Sequence, residues 1–303
     1  MATLIPHSST AFTQLRQVID QLYTWLIRQL EDPGVIWLEQ TKQHLLEDPS
    51  ERFLFTRFSA AVRQLGKANL AVTAEDLQTA HALRAGWNPG EWSVAQAART
   101  LLVLSFPAES ADRYVTAIEK LFAAADVAEQ VALYQSLPLF PHPDRFIDRA
   151  IEGLRTNMTA VFNAIALNNP YPADYFDEAA WNQMVLKALF VDSCLSQIQG
   201  LDARANVKLA RMLSDYAHER WAAGRAVNPQ LWRPIGPFAE GDLVTDLARV
   251  LESNERFEQE AAALACAHAQ GPDAEPLLEK VPELKQQIMD GQLTWASFSM
   301  IHP

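Results

Sequence analysis

The sequence predicts an all-α protein, an irregular α-solenoid of antiparallel helix pairs in the manner of HEAT repeats, with a compact helical bundle as the alternative architecture. Three observations predict it. Apolar residues recur at the three- and four-residue spacing of helices, and the strict alternation that marks half-buried strands is absent. Glycine is scarce, at 11 of 303 residues, so few positions weaken a helix from within. The linkers between helical stretches are short, which makes successive helices antiparallel neighbours.

Taken in order, the periodicity predicts helices at 10–30, 33–46, 50–65, 73–85, 92–105, 110–124, 127–136, 145–167, 175–199, 203–223, 240–252, 254–269 and 281–290. The punctuation agrees with it. Asp32-Pro33 and Asp48-Pro49 suit helix starts, because proline is tolerated in the first turn. Thr73 with Asp76 has the spacing of a capping box. Pro138, Pro141 and Pro143 stop one helix, and Asp144 is placed to cap the next. From about residue 92 the helices pair without a fixed repeat length, which suggests the solenoid. The segment Ala85-Gly86-Trp87-Asn88-Pro89-Gly90 is the best boundary, giving a helical subdomain at 1–88 and a helical-repeat domain at 89–303.

Charge narrows the function classes. With 25 Lys+Arg against 37 Asp+Glu, the net charge is −12. A chain of that balance without a basic cluster opposes binding to nucleic acid and to anionic membranes. Cys194 and Cys266 do not make a disulfide framework and read as small core residues in a reducing compartment, the cytoplasm. Met1 to Ser9 lacks the basic-then-apolar pattern of a secretory signal. The uncharged run from Thr156 to Ala173 is broken by asparagines and prolines, so no direct membrane insertion is expected.

The most informative stretch is 157–238. In the predicted helix 175–199, with Asp174 as N-cap and Gly200 as stop, Met184 to Val191 carries one charge in eight residues. A helix apolar all round is buried all round. Asp192 shares a row with Trp181, Val185, Ala188 and Leu195, so it is expected buried, as a site residue or as a tie between helices. The next predicted helix, 203–223, takes Asp202 as N-cap and Gly224 as stop, with Asn206 on its apolar face and Arg220 at the edge. A short link would make the two an antiparallel hairpin, setting Trp181 against Trp221 and Asp192 about one turn from Asn206.

On the opposite face Arg211, Asp215 and His218 form a strip. It suits an acid–base pair, two metal ligands, or a solvated ion pair with a surface histidine. No third ligand stands at diagnostic spacing, so no metal is expected; no cofactor motif is present either. The following loop is rich in proline and aromatics. There Trp232 and Phe238 can wall a pocket, with Arg225 or Arg233 as an anion contact. The candidate ligand-binding set is therefore Asp192, Asn206, Arg220, Trp181, Trp221, Trp232 and Arg225, with no residue assigned to catalysis.

Several strings in this stretch resemble the EboA family: Asn169-Pro-Tyr-Pro172, Tyr175-Phe176, Ala180-Trp-Asn-Gln-Met-Val-Leu-Lys-Ala188, Asp215-Tyr-Ala-His-Glu-Arg-Trp-Ala-Ala-Gly-Arg225 and Leu231-Trp-Arg233. The resemblance implies a bacterial accessory protein of secondary-metabolite biosynthesis or trafficking. Its expected partner is a small molecule or another protein of the Ebo cluster. It carries over no catalytic residue. The competing expectation is an enzyme of the metabolite pathway that uses Asp192 or the Asp215/His218 pair as acid–base groups.

Overall fold

The computed structural model describes residues 7–301. These form seventeen α-helices, with six short 3-10 turns among the connections. Among the described residues there is no strand, and the sole extended pairing is an isolated antiparallel bridge between Asn69 and Ser93. The fold is all-α. Its internal contacts divide it into two units, the first ending at Tyr175 and the second beginning at Phe176. The segment 85–90 lies within the first.

The first unit contains α1 (His7–Ile27), α2 (Asp32–Glu47), α3 (Glu51–Leu65), α4 (Ala74–Leu83), α5 (Val94–Leu104), α6 (Ala111–Ala124), α7 (Val127–Ser136), α8 (Ile147–Leu154), α9 (Thr159–Ala166) and α10 (Tyr171–Tyr175). Its centre is α5, buried at every position but Gln96 and packed against α1, α2, α3 and α7. Arg99 on this helix is 3% exposed; it donates to the Phe58 carbonyl at 3.1 Å and faces Glu129 at 3.4 Å. In this unit the predicted starts near 73, 92 and 127 coincide with side-chain caps. Thr73 and Asp76 form the expected capping box, and Ser93–Gln96 and Asp126–Glu129 form two more. The predicted helix 145–167 is broken at 155–158 into α8 and α9. Asp144 caps neither; it sits inside a 3-10 turn that follows His142.

The second unit contains α11 (Glu178–Phe190), α12 (Val207–Ala222), α13 (Asp242–Leu251), α14 (Arg256–Ala267), α15 (Glu275–Glu279), α16 (Pro282–Met289) and α17 (Trp295–Ile301). Here the centre is α14, whose run Ala261 to Cys266 is wholly buried. Gly236 lets the chain press onto it: a Cβ there would lie 2.6 Å from the Ala265 carbonyl oxygen. The short helices α15 and α17 have no counterpart in the predicted elements.

Two predicted caps move. The helix expected from 175 begins at Glu178 behind Asp177, whose side chain accepts from Ala180 N–H at 2.7 Å; Asp174 belongs to α10. The helix expected from 203 begins at Val207 behind Asn206, which accepts from Leu209 N–H at 2.9 Å; Asp202 is engaged instead by a two-pronged Arg233 pair, both contacts at 2.6 Å.

Candidate functional site

The site is built where α11 and α12 end. Helix α11 stops at Phe190 because Asp192 takes the left-handed conformation, with φ +56°, and the Ser193 N–H bonds back to the Ala188 carbonyl at 2.8 Å. This is a Schellman turn, and its left-handed residue is more often glycine or asparagine. Aspartate tolerates the conformation better than a β-branched residue does. Helix α12 ends in the same way, with Gly224 at φ +64° and the Arg225 N–H bonded to the Arg220 carbonyl at 2.9 Å. Arg220 Nε then donates to the Ala226 carbonyl at 2.9 Å and fixes the loop that follows. A cation is well placed there, since the last turn of a helix carries unpaired carbonyls.

The pocket beside these two ends has a volume of about 800 Å³. Asp192, Arg220 and Arg225 line it together, with Glu219 from α12 as a second acid. Phe190, Tyr216 and Phe257 supply aromatic surface. Phe190 is 63% exposed and meets the Tyr216 ring edge-on at 4.9 Å. Among the described residues the side chains of Asp192, Glu219 and Arg225 make no hydrogen bond or ion pair. The pocket thus presents both signs of charge, unpaired, beside a ring surface.

Several expectations for this region are corrected. Asp192 is exposed, not buried, because the helix has ended and the row through Trp181, Val185 and Ala188 no longer extends to it. The link from α11 to α12 is the long segment 191–206, not a tight turn. Asn182 and Asn206 exchange amide hydrogen bonds at 3.1 and 2.8 Å near both helix starts, while Tyr216 donates to the Leu189 carbonyl at 3.4 Å further along both. The contacts advance together along the two helices, so these do not form an antiparallel hairpin. Trp181 accordingly does not meet Trp221. It is fully buried, with the Arg204 guanidinium 4.8 Å from its ring. Trp221 stacks on Trp232 at 5.8 Å, with the Arg249 guanidinium 4.0 Å away, and these three line a smaller cavity of about 210 Å³. Asn206 and Trp181 line neither cavity.

The strip on α12 also resolves differently. His218 pairs with Asp246 of α13 at 2.6 Å, not with Asp215. Asp246 is 5% exposed and accepts from the Ser214 hydroxyl on its other oxygen, also at 2.6 Å. The three residue types are those of a hydrolytic triad, but the carboxylate stands in the middle. Nucleophile activation needs the imidazole between serine and acid. The arrangement ties α12 to α13 instead. Among the described residues no three His, Cys, Asp or Glu side chains converge as a metal site requires.

A family model described as "Metabolite traffic protein EboA" matches residues 18–236. The chain belongs to the EboA family. The match takes in both helices of the site and the loop carrying Arg225, and it extends far upstream of the 157–238 stretch that holds the EboA-like strings. Phe257 lies outside it. No curated protein and no solved structure matches the chain. Among the described residues no helix is long and apolar enough to cross a membrane. Phe190, Tyr216, Glu219 and Phe257 were not read from the sequence as site residues. Phe190 belongs to the apolar run of α11, which gives no sign that its last member is left in the open. Phe257 is brought in from a distant helix with no motif to mark it.

Proposed function

We propose that this EboA-family chain binds a small metabolite without transforming it, in the pocket at the ends of α11 and α12. The ligand class that fits is a zwitterion with an aromatic body, such as an aromatic α-amino acid or a derivative that keeps both charges. One observation carries this reading: Arg225 faces the same pocket as Asp192 and Glu219, and none of the three has a partner among the described residues. A carboxylate would take the guanidinium, for which Arg is the geometrically suited donor. An ammonium would take the acids, and a ring would lie against Phe190, Tyr216 and Phe257. The family description, a metabolite traffic protein, supports a carrier role. On this reading the molecule passes to or from another protein of the Ebo cluster.

The test is calorimetric titration with L-phenylalanine, 3-phenylpropionate and 2-phenylethylamine. Saturable binding of the amino acid, at least tenfold tighter than either single-charge analogue, is expected. Equal binding of all three would remove the zwitterion from the proposal, and turnover of any of them would favour the enzyme reading.

A further inference from the structure

The first unit carries a second pocket, of about 540 Å³ and unlike chemistry, beside the proline-rich connector 138–143. Three prolines, Pro138, Pro141 and Pro143, form part of its wall, with Phe140 between them. Phe12, Leu15 and Val18 of α1 also line it, and so does Tyr175 of α10. We propose that this pocket is a second ligand site, which takes a flat, uncharged aromatic metabolite bearing one hydrogen-bond donor.

The walls are preformed. Proline rings fix their own φ. The Tyr171 hydroxyl donates to the Pro143 carbonyl at 2.6 Å. Tyr171 is itself placed by Asn169, which accepts from the Tyr171 N–H at 2.9 Å and donates to the carbonyls of Tyr134 and Ala164 at 3.1 and 2.9 Å. The Tyr171 and Tyr175 rings lie 4.8 Å apart, so the Asn-Pro-Tyr-Pro string supports the pocket's edge. His142 sits at φ +57°, a costly backbone region for a residue with a side chain, and is held by its Nε2 contact to the Ala108 carbonyl at 2.9 Å. Such strain persists where the surroundings over-determine it.

Charge selects the ligand. Among the described residues Arg84 is the cation of the lining, and no acid lines the pocket. Its Nε donates to the Pro138 carbonyl, its Nη1 to the Ala85 carbonyl and its Nη2 to Asp174, so its charge is already matched. A carboxylate would gain little and lose its hydration. Because a carbonyl can only accept, His142 Nε2 must carry the proton toward Ala108, and the tautomer protonated only there has Nδ1 as an acceptor. A phenolic O–H or a ring N–H is the complementary group. Pyrrolidine and aromatic ring faces suit a planar ring system, and the volume lies in the range of small-molecule pockets.

The probe is 2-naphthol, titrated into the full chain by calorimetry, with naphthalene, 2-naphthoate and L-phenylalanine as competitors. One saturable 2-naphthol site is expected. Naphthalene should displace it with at least fivefold lower affinity, and neither the naphthoate nor the amino acid should displace it. Leu15→Trp fills the pocket and should weaken 2-naphthol at least tenfold. His142→Gly removes the acceptor while relieving the backbone; it should weaken 2-naphthol but not naphthalene, which keeps the test open if Leu15→Trp does not fold. No saturable binding, or binding unchanged in a folded Leu15→Trp chain, would overturn the proposal. So would displacement by 2-naphthoate. Displacement by L-phenylalanine would also overturn it, by showing one shared site instead of two.

Discussion

Two aspartates, Asp76 in the first unit and Asp192 in the second, show how differently the same side chain is used in the two regions. Asp76 is 8% exposed and saturated with donors. It accepts from the Trp25 indole at 2.8 Å, from both Arg28 Nη atoms at 3.1 and 2.6 Å, and from the Thr73 N–H at 2.8 Å. The Arg28 guanidinium beside it holds its carboxyl well below the usual carboxylate range. Asp192 ends a helix in the left-handed region, faces a pocket and has no side-chain partner among the described residues. A buried acid whose lone pairs are all taken is fixed structure. An open acid beside an unpaired cation and rings is available to a ligand.

That contrast breaks most visibly at Asp76. Asp76→Ala leaves the Trp25 N–H buried without its acceptor and releases Arg28. It should cost about 1.5–3 kcal/mol in chemical denaturation, the range for hydrogen bonds to a charged group; the half-exposed Arg28 keeps the loss from being larger. A loss under about 1 kcal/mol would deny the structural role. The pH dependence has a definite sign. Because the folded carboxyl is depressed, its contribution is complete above the ordinary carboxylate pKa of about 4 and is lost as pH falls below it. The stability of Asp76→Asn should therefore fall less steeply with acid than that of the parent chain.

The two helix ends sharpen the contrast at smaller scale. At Gly224, φ is +64° and a Cβ would meet nothing within 4 Å, so Gly224→Ala tests backbone strain alone. It should cost about 1–2 kcal/mol. Asp192→Asn keeps a residue that tolerates the left-handed region and removes only the charge. Its stability should stay within about 0.5 kcal/mol of the parent in the same denaturation assay, while affinity for the zwitterionic ligand falls about tenfold. A larger stability loss would return Asp192 to the scaffold.

Much of the fold was legible because its signals are local. The Thr73–Asp76 capping box, the helix 127–136 and the all-α class follow from spacing over a few residues. The candidate site was legible in part. Asp192, Arg220 and Arg225 were singled out and line one pocket, but Asp192 was expected buried beside Asn206. The apolar run Met184–Val191 looks like the middle of a longer helix, and nothing in Val191-Asp192-Ser193 announces a left-handed stop where glycine is the usual signal. Once that stop is missed, the link to α12 looks short, the hairpin follows, and Trp181 is set against Trp221. The partners of His218 and Trp221 come from α13 and the 229–232 turn. Long-range pairings of this kind, Asp246 above all, leave no mark in the local pattern.

One titration decides whether the pocket at the ends of α11 and α12 holds a charged aromatic metabolite through Arg225. L-phenylalanine is added to the parent chain and to Arg225→Ala, with denaturation midpoints measured alongside. One saturable site in the parent, binding weakened at least tenfold in the variant, and an unchanged midpoint are expected. Equal affinity in the two chains, or no saturable binding to the parent, would contradict that binding mode.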